Sequence, residues 1–275
     1  MSIREILVHL KSHEDWSPHA DYALSTAKLF SAKLRALVSF HEVVMLRNLP
    51  GQLGRAVDEQ LAKDKAVAAS LEKKFLAACE AKGVKGTFSI AEGAAGEIVP
   101  WAARLHDLTI IEQRQPESDE LGFDAAKESM LSAGRPVLLV PRSGEFQPCP
   151  EHILVAWNGS QMAASAVQGA LPFIGRAKKV TICSGEVRLP LRPGSRIPAI
   201  SIADHLRQHV AEVVEEKSDV GASSAGEHLL GRARELGCGM IVMGAYGRSW
   251  FSEYLLGGAT RHMLKHMTVP ILTGR

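Results

Sequence analysis

Short apolar runs alternate with polar turns and Ala-rich stretches along the whole chain. The first run spans 5–10, and a run of the same kind spans 152–157. Runs of this length, apolar at most positions, indicate strands that are buried on both faces of a sheet. A polar turn follows each run, and the spacing of apolar residues beyond it predicts helices over 18–32 and 162–171.

The same order of elements continues in both halves. Four further elements can be matched between the halves: a second strand, a helix that follows Gly-Glu, another strand and a proline-led strand. The matched segments are 35–40 with 179–183, 96–105 with 226–236, 108–111 with 240–243, and 136–140 with 270–272. This repeat predicts two doubly wound α/β domains in tandem, each with a mostly parallel sheet and right-handed crossovers.

The two halves differ in their middle segments. The first has a long predicted helix over 55–82, whereas the second has a loop rich in Pro and Arg over 188–196 and a shorter helix from about Ile202. One face of the long helix carries Leu61, Ala68, Leu71, Phe75 and Ala78. The polar, proline-bearing stretch 142–150 suits a linker, so we predict domains over 1–143 and 151–275.

Composition narrows the range of partners and locations. The 32 basic and 30 acidic residues are mixed along the chain and give a formal net charge of +2. This composition does not imply long-range electrostatic attraction to nucleic acid. No segment approaches the roughly 20 apolar residues of a membrane span, and the first residues lack the features of a signal peptide. We therefore expect a cytoplasmic protein with neither a nucleic-acid nor a membrane partner.

Metal-capable side chains do not form a recognised ligand pattern. His262 and His266 have the i, i+4 spacing that could share a metal, but no third ligand is evident, so solvated basic residues near a helix end are favoured. His13, Glu14, Asp15 and His19 are interpreted as a polar loop. Cys79, Cys149, Cys183 and Cys238 are far apart in sequence and are expected to be reduced and mostly buried.

A glycine-rich segment follows the strand predicted at 240–243 in the second half. Gly244 and Gly247 have two residues between them, and Gly247 and Gly257 have nine. Glycine permits positive φ and lets backbone N–H groups approach a phosphate. Gly257 and Gly258 then open a predicted helix through Met263 and Leu264, whose N-terminus favours an anion, with a hydroxyl at Thr260. The segment predicts a triphosphate cradle; the alternative is that the glycines serve only turns and tight helix packing.

This order of strand, spaced glycines, last helix and proline-led strand resembles the universal stress protein family, twice over nearly the whole chain. The resemblance implies Rossmann-like domains of the adenine nucleotide alpha hydrolase type, with five parallel strands. Many members bind ATP, which Mg²⁺ could accompany, and others carry the fold without nucleotide. The residues that the resemblance assigns to the nucleotide are Ala156, Asn158, Met243, Gly244, Tyr246, Gly247, Arg248, Gly257, Gly258, Ala259 and Thr260.

The chain departs from the pattern of nucleotide-binding members. Asn158 stands where they usually have Asp, and Gly258 where they have Ser or Thr. Losing one hydroxyl to phosphate costs about 1–2 kcal/mol, which would weaken binding rather than abolish it. The first half departs further, because Lys11 matches Asn158 and the segment 112–120 contains several carboxylates and no glycine. We predict that this degenerate domain does not bind nucleotide.

The leading hypothesis is a stress-response protein that binds ATP in its C-terminal domain for regulation rather than catalysis. No base, nucleophile and orienting group occur together in a known motif, so an efficient enzyme is not expected. The alternatives are a nucleotide-free interaction scaffold and a very slow ATPase. Family members usually dimerise through their final strands, so the resemblance implies a pseudo-dimer with 137–140 antiparallel to 269–272; self-association into a homodimer stays open.

Overall fold

The computed structural model describes residues 2–11, 16–40, 52–113, 125–185, 200–218, 225–245 and 258–274. The chain divides into two compact units, Ser2–Pro148 and Cys149–Arg275. Within the described residues, no helix has the length and apolar character needed to cross a bilayer.

The N-terminal unit is a parallel α/β sheet with a doubly wound strand order. Its strands are β1 (Glu5–His9), β2 (Lys33–Phe40), β3 (Gly86–Glu92), β4 (Leu108–Glu112) and β5 (Val137–Val140). Its helices are α1 (Pro18–Phe30), α2 (Gln52–Lys82), α3 (Ala95–Ala103) and α4 (Ala125–Ser132). The strands lie in the order β3-β2-β1-β4-β5, and every neighbouring pair is parallel.

The C-terminal unit has the same strand order, position for position. Its strands are β6 (His152–Trp157), β7 (Lys179–Ser184), β8 (Glu212–Lys217), β9 (Met240–Gly244) and β10 (Ile271–Gly274). Its helices are α5 (Gln161–Ile174), α6 (Ile202–Leu206), α7 (Ala225–Glu235) and α8 (Gly258–His266). The order β8-β7-β6-β9-β10 is again parallel throughout. The predicted fold class is therefore confirmed.

The central strand of each unit forms the core. Removing an aliphatic side chain from water stabilises the fold by about 1.5–3 kcal/mol per residue, and both faces of these strands are covered. The fully buried residues at their centres are Ile6, Leu7 and Val8 in β1, and Ile153, Leu154 and Val155 in β6. This burial explains why both runs are apolar without alternation.

The edge strands β3 and β8 are the elements that the apolar pattern does not single out. Their side chains alternate between exposed and half-buried, and β8 has the sequence EVVEEK. An edge strand needs less apolar surface, and charged side chains there discourage pairing with another chain. Both strands therefore lack the continuous apolar signal of β1 and β6.

The long helix of the first half begins slightly before its predicted start. Helix α2 buries Ala68, Leu71 and Phe75 and half-buries Ala78, in agreement with the predicted face. The side chain of Leu61 lies outside the described residues. In the second half α6 begins at Ile202 as predicted, while the loop 188–196 lies outside the described residues.

Candidate functional site

The carboxyl ends of β6 and β9 lie side by side in the C-terminal unit. Their register pairs Ala156 with Met243, of which the first is half-buried and the second buried. Asn158 follows the end of β6 and is exposed. In parallel α/β sheets this edge is where ligands bind. Three of the predicted nucleotide residues therefore lie at the end of the sheet where such a site is expected.

The turn from β6 into α5 uses its polar side chains internally. Oδ1 of Asn158 accepts a hydrogen bond from the Ser160 amide at 3.1 Å, and Oγ of Ser160 accepts one from the Ala163 amide, also at 3.1 Å. Ser160 is thus the N-cap of α5, and Gly159 between them adopts φ 71°. The Asn158 amide group holds the turn, a role that is independent of any ligand.

Gly244 at the end of β9 is explained by close packing of a helix. A Cβ atom placed on it would lie 2.6 Å from the Ala163 amide nitrogen and 2.8 Å from the Met162 carbonyl carbon. Its neighbour across the ladder, Gly274, has the same property, because its Cβ would lie 2.6 Å from the carbonyl carbon of Ser165. The two glycines together let the backbone of α5 pack directly on β9 and β10.

The predicted phosphate end is described only in part. Gly258 begins α8, as the sequence predicted, and Thr260 is buried in its first turn. Ala259 lies between them in the same turn. The other predicted loop residues lie outside the described residues: Tyr246, Gly247, Arg248 and Gly257. In a right-handed crossover from β9 to β10, the N-terminus of α8 lies at the carboxyl edge of the sheet.

The corresponding edge of the N-terminal unit is filled by charged side chains. Nζ of Lys11 lies 3.0 Å from Oε2 of Glu112, whose side chain is only 4% exposed. Nδ1 of His19, in the first turn of α1, lies 3.5 Å from Oε1 of the same carboxylate. Nε2 of His19 donates a hydrogen bond to the His9 carbonyl oxygen at 2.8 Å, and Nδ1 contacts the hydroxyl of Ser17.

Burial and charge fix the protonation states in this cluster. Burial raises the pKa of the Glu112 carboxyl, but the hydrogen bonds and charges of His19 and Lys11 outweigh it and hold that pKa at about 2. Burial, assisted by the charges of His19 and Lys11, lowers the pKa of His9 to about 3. At neutral pH Glu112 is therefore ionised and the His9 side chain is neutral.

The strand registers align the two edges residue by residue. Leu7 pairs with Thr109 in the first unit, as Leu154 pairs with Ile241 in the second. Following the strands from these pairs puts Glu112 at the position of Gly244. Carboxylates after β4 were predicted to repel phosphate; at Glu112 the carboxylate is instead buried and paired.

The importance of His19 was missed from the sequence. It was interpreted as part of a polar loop with His13, Glu14 and Asp15, but it is buried in α1; the other three lie outside the described residues. The signal that could have revealed it is its position one residue after Pro18, a residue favoured at the start of a helix. A histidine in that first turn faces the end of the neighbouring strands.

Other metal-capable groups are more dispersed. No cluster of three or more His, Cys, Asp or Glu side chains suited to a metal occurs within the described parts of the chain. Cys79, Cys183 and Cys238 are buried thiols and Cys149 is half-buried. Burial raises the pKa of the Cys79 thiol to about 11, so this thiol is protonated and unreactive at neutral pH.

Comparison with known proteins agrees with this architecture. The model of the universal stress protein family matches residues 150–275. Universal stress protein YxiE of Bacillus subtilis (strain 168) is 27% identical over 144 residues, which cover 45% of this chain and 97% of that protein.

Two solved structures share the fold over nearly the whole chain. A universal stress protein from Archaeoglobus fulgidus DSM 4304 superposes with a TM-score of 0.66 at 15% identity, covering 98% of this chain and 96% of its own. A functionally unknown protein from Pseudomonas aeruginosa PAO1 gives a TM-score of 0.56 at 16% identity, covering 98% and 92%. At these identities the likeness concerns the fold alone. Together with these likenesses of fold, the match of the family model shows that residues 150–275 of this chain are similar to the universal stress protein family.

Proposed function

We propose that the C-terminal unit binds an adenine nucleotide, ATP, at the carboxyl edge of β6 and β9, and that binding serves regulation rather than catalysis. The observation that carries the proposal is the contrast between Ala156 and the residue at its position in the other unit, His9. Ala156 is small and half-buried at its strand end, so it leaves room at the sheet edge. The N-terminus of α8 opens at Gly258, after the glycine-rich segment.

The chemistry of α8 supports phosphate as the group that is bound. The first backbone amides of a helix have no partner within the helix, and the helix dipole favours a negative charge there. The family match spans all eleven residues that the sequence assigned to the nucleotide. Because Asn158 already bonds the Ser160 amide, we propose that its remaining capacity, the side-chain NH₂ group, faces the adenosine.

The first experiment asks whether nucleotide is present and binds. Protein purified without added ligand is denatured, and the supernatant is analysed for nucleotide; the protein is then titrated with ATP, with and without Mg²⁺, by calorimetry. Release of adenine nucleotide, or a Kd below about 1 mM, is expected. The proposal is overturned if no nucleotide is released and no ATP binds at that concentration.

A matched pair of arginine variants tests the location. Arg248→Ala is expected to weaken ATP binding by about 10-fold to 150-fold, since a charge-assisted hydrogen bond contributes about 1.5–3 kcal/mol. Arg114→Ala changes a basic residue in the segment that follows β4 of the other unit, and is expected to leave the ATP affinity unchanged. Equal effects of both variants would argue against a site confined to the C-terminal unit.

A nucleotide-free scaffold is the second candidate, and two observations favour it. The turn after β6 satisfies its own amides through Asn158 and Ser160, and the bare face of Gly244 is covered by α5. This candidate predicts no released nucleotide and no heat of ATP binding. Slow hydrolysis is a third candidate, which phosphate release over several hours would detect.

The assembly and location follow as further parts of the proposal. We place the protein in the cytoplasm, and pairing of the final strands into a pseudo-dimer stays a prediction. Light scattering would distinguish a monomer of 29.7 kDa from a homodimer of twice that mass.

A further inference from the structure

Two histidines form an adjacent pair at the end of α8. His262 and His266 lie four residues apart, a spacing that puts both on one helix face. Their ring centroids are 4.2 Å apart and the ring planes are inclined by 31°. His266 is exposed and His262 is half-buried. The two imidazoles are therefore neighbours at a surface that solvent can reach.

A backbone hydrogen bond fixes the tautomer of His266. Its Nδ1 lies 3.0 Å from the carbonyl oxygen of His262. A carbonyl oxygen can only accept, so Nδ1 carries the hydrogen and Nε2 of the neutral ring has a lone pair. Histidines that bind metals are commonly oriented by a hydrogen bond of this kind. His266 is thus held with Nε2 available as a ligand.

The position of the rings suits a cation, and a small change in their separation would admit one. With metal–nitrogen distances of about 2.0–2.1 Å, a tetrahedral ion requires its two nitrogens to lie roughly 3.3 Å apart. Two rings that share such an ion have centroids roughly 5 Å apart. The observed centroids, 4.2 Å apart, would have to separate by about 1 Å, which rotation about χ1 and χ2 of the two side chains allows. His266 is the last residue of α8, where the helix dipole favours positive charge. Lys265, also exposed, lies about 100° away around the helix axis.

A second histidine pair in the same unit has equal spacing but includes a buried ring nitrogen. His205 and His209 have ring centroids 5.0 Å apart and meet edge to face at 66°. Nε2 of His205 is buried and has no hydrogen-bond partner among the described residues, so this ring would have to leave its buried position before that nitrogen could share an ion with the exposed His209. Only the first pair combines close rings with an oriented, accessible nitrogen.

We propose that His262 and His266 form a two-histidine site for a late divalent transition-metal ion such as Ni²⁺, Cu²⁺ or Zn²⁺, with water in the remaining positions. Imidazole nitrogen is a preferred ligand for these ions, whereas Mg²⁺ prefers oxygen. The site lies about 6–12 Å along α8 from Gly258, at 1.5 Å per residue. It is therefore distinct from any Mg²⁺ that accompanies the nucleotide, and it revises the expectation that this pair is only solvated.

Calorimetric titration of the full-length, tag-free protein with NiCl₂ tests the site. One ion per chain is expected to bind. His262→Gln and His266→Gln are each expected to weaken binding at least about tenfold. The matched control, a double variant with His205→Gln and His209→Gln, is expected to bind Ni²⁺ as the wild type does. Circular dichroism of each variant reports whether the fold is kept.

Electron paramagnetic resonance of the wild-type protein with one equivalent of Cu²⁺ gives an independent readout that needs no variant. Hyperfine structure from two imidazole nitrogens is expected, and from one nitrogen in His266→Gln. Unchanged Ni²⁺ affinity in both single variants, an equal loss in the control, or a Cu²⁺ spectrum without two imidazole nitrogens would overturn the proposal.

Discussion

At the carboxyl edge of the N-terminal unit, Lys11 and Glu112 form an ion pair, whereas the two corresponding positions of the C-terminal unit are Asn158 and Gly244. The strand registers of the two units are the same at this edge. The difference therefore lies in side chains alone. One unit fills the edge with a buried carboxylate, and the other lets helix α5 pack against bare backbone.

The comparison shows two ways of completing the same fold at one place. A buried carboxylate is tolerated because Lys11 and His19 supply hydrogen bonds and positive charge; without them its desolvation would cost several kcal/mol. A glycine needs no partner but obliges the neighbouring helix to pack closely. Both solutions stabilise the edge, and only the second leaves the ends of its two central strands, β6 and β9, without a charged side chain.

Acidification should produce the largest difference in stability between the two units. In the unfolded chain the His9 side chain takes up a proton near pH 6.5, whereas in the folded protein it stays neutral down to about pH 3. The ionised Glu112 stabilises the fold, and this contribution is lost as pH falls from about 4.5 towards 2. Stability of the N-terminal unit should thus decrease as pH falls from about 6.5. In the C-terminal unit, burial lowers the pKa of His152, but this side chain is only half-buried, so the decrease in stability of that unit should be smaller.

Hydrogen exchange read by mass spectrometry measures this difference between units. After correction for intrinsic rates, peptides from β1 and β4 should lose protection at a higher pH than peptides from β6 and β9. The reverse order would show that the buried cluster does not control acid stability.

Replacing the buried carboxylate should have the next largest effect. Glu112→Ala removes the buried carboxylate that Lys11 and His19 contact. The free energy of unfolding should fall by about 2–4 kcal/mol, somewhat less than for a fully buried pair because the Lys11 side chain is 26% exposed. Urea denaturation measures it. The control is Glu5→Ala. The Glu5 carboxylate pairs with Lys33 at the surface, so its loss should lower the free energy of unfolding by less than about 1 kcal/mol.

Adding one methyl group at the glycine edge should have a smaller effect. Gly244→Ala places a Cβ against the backbone of α5 and should lower the free energy of unfolding by about 1–3 kcal/mol. Gly231→Ala is the control, since Gly231 lies inside α7 with open space around it, and it should raise stability by about 0.5–1 kcal/mol. Thermal unfolding of both variants measures whether stability falls in one and rises in the other. Unchanged stability of Gly244→Ala would show that α5 can move away from the added methyl group.

Much of the fold could be predicted from the sequence because its cause is local. The apolar runs of β1 and β6 have to be buried on both faces, and their repetition predicts two units of one class. The edge strands β3 and β8 were missed because a half-exposed strand carries a weaker apolar signal. The glycine spacing predicted the start of α8 at Gly258.

The sequence by itself determined the order of elements, the repeat and the positions where the two halves differ. Only the tertiary structure decided what those differences do, because Lys11, His19 and Glu112 are far apart in the chain and meet only once three elements pack at one sheet edge. The same holds for Gly244, whose role depends on the distance to a helix that starts 83 residues earlier, at Gln161. Chain-distant contacts of this kind leave no periodicity in the sequence, so their chemistry becomes visible only in three dimensions.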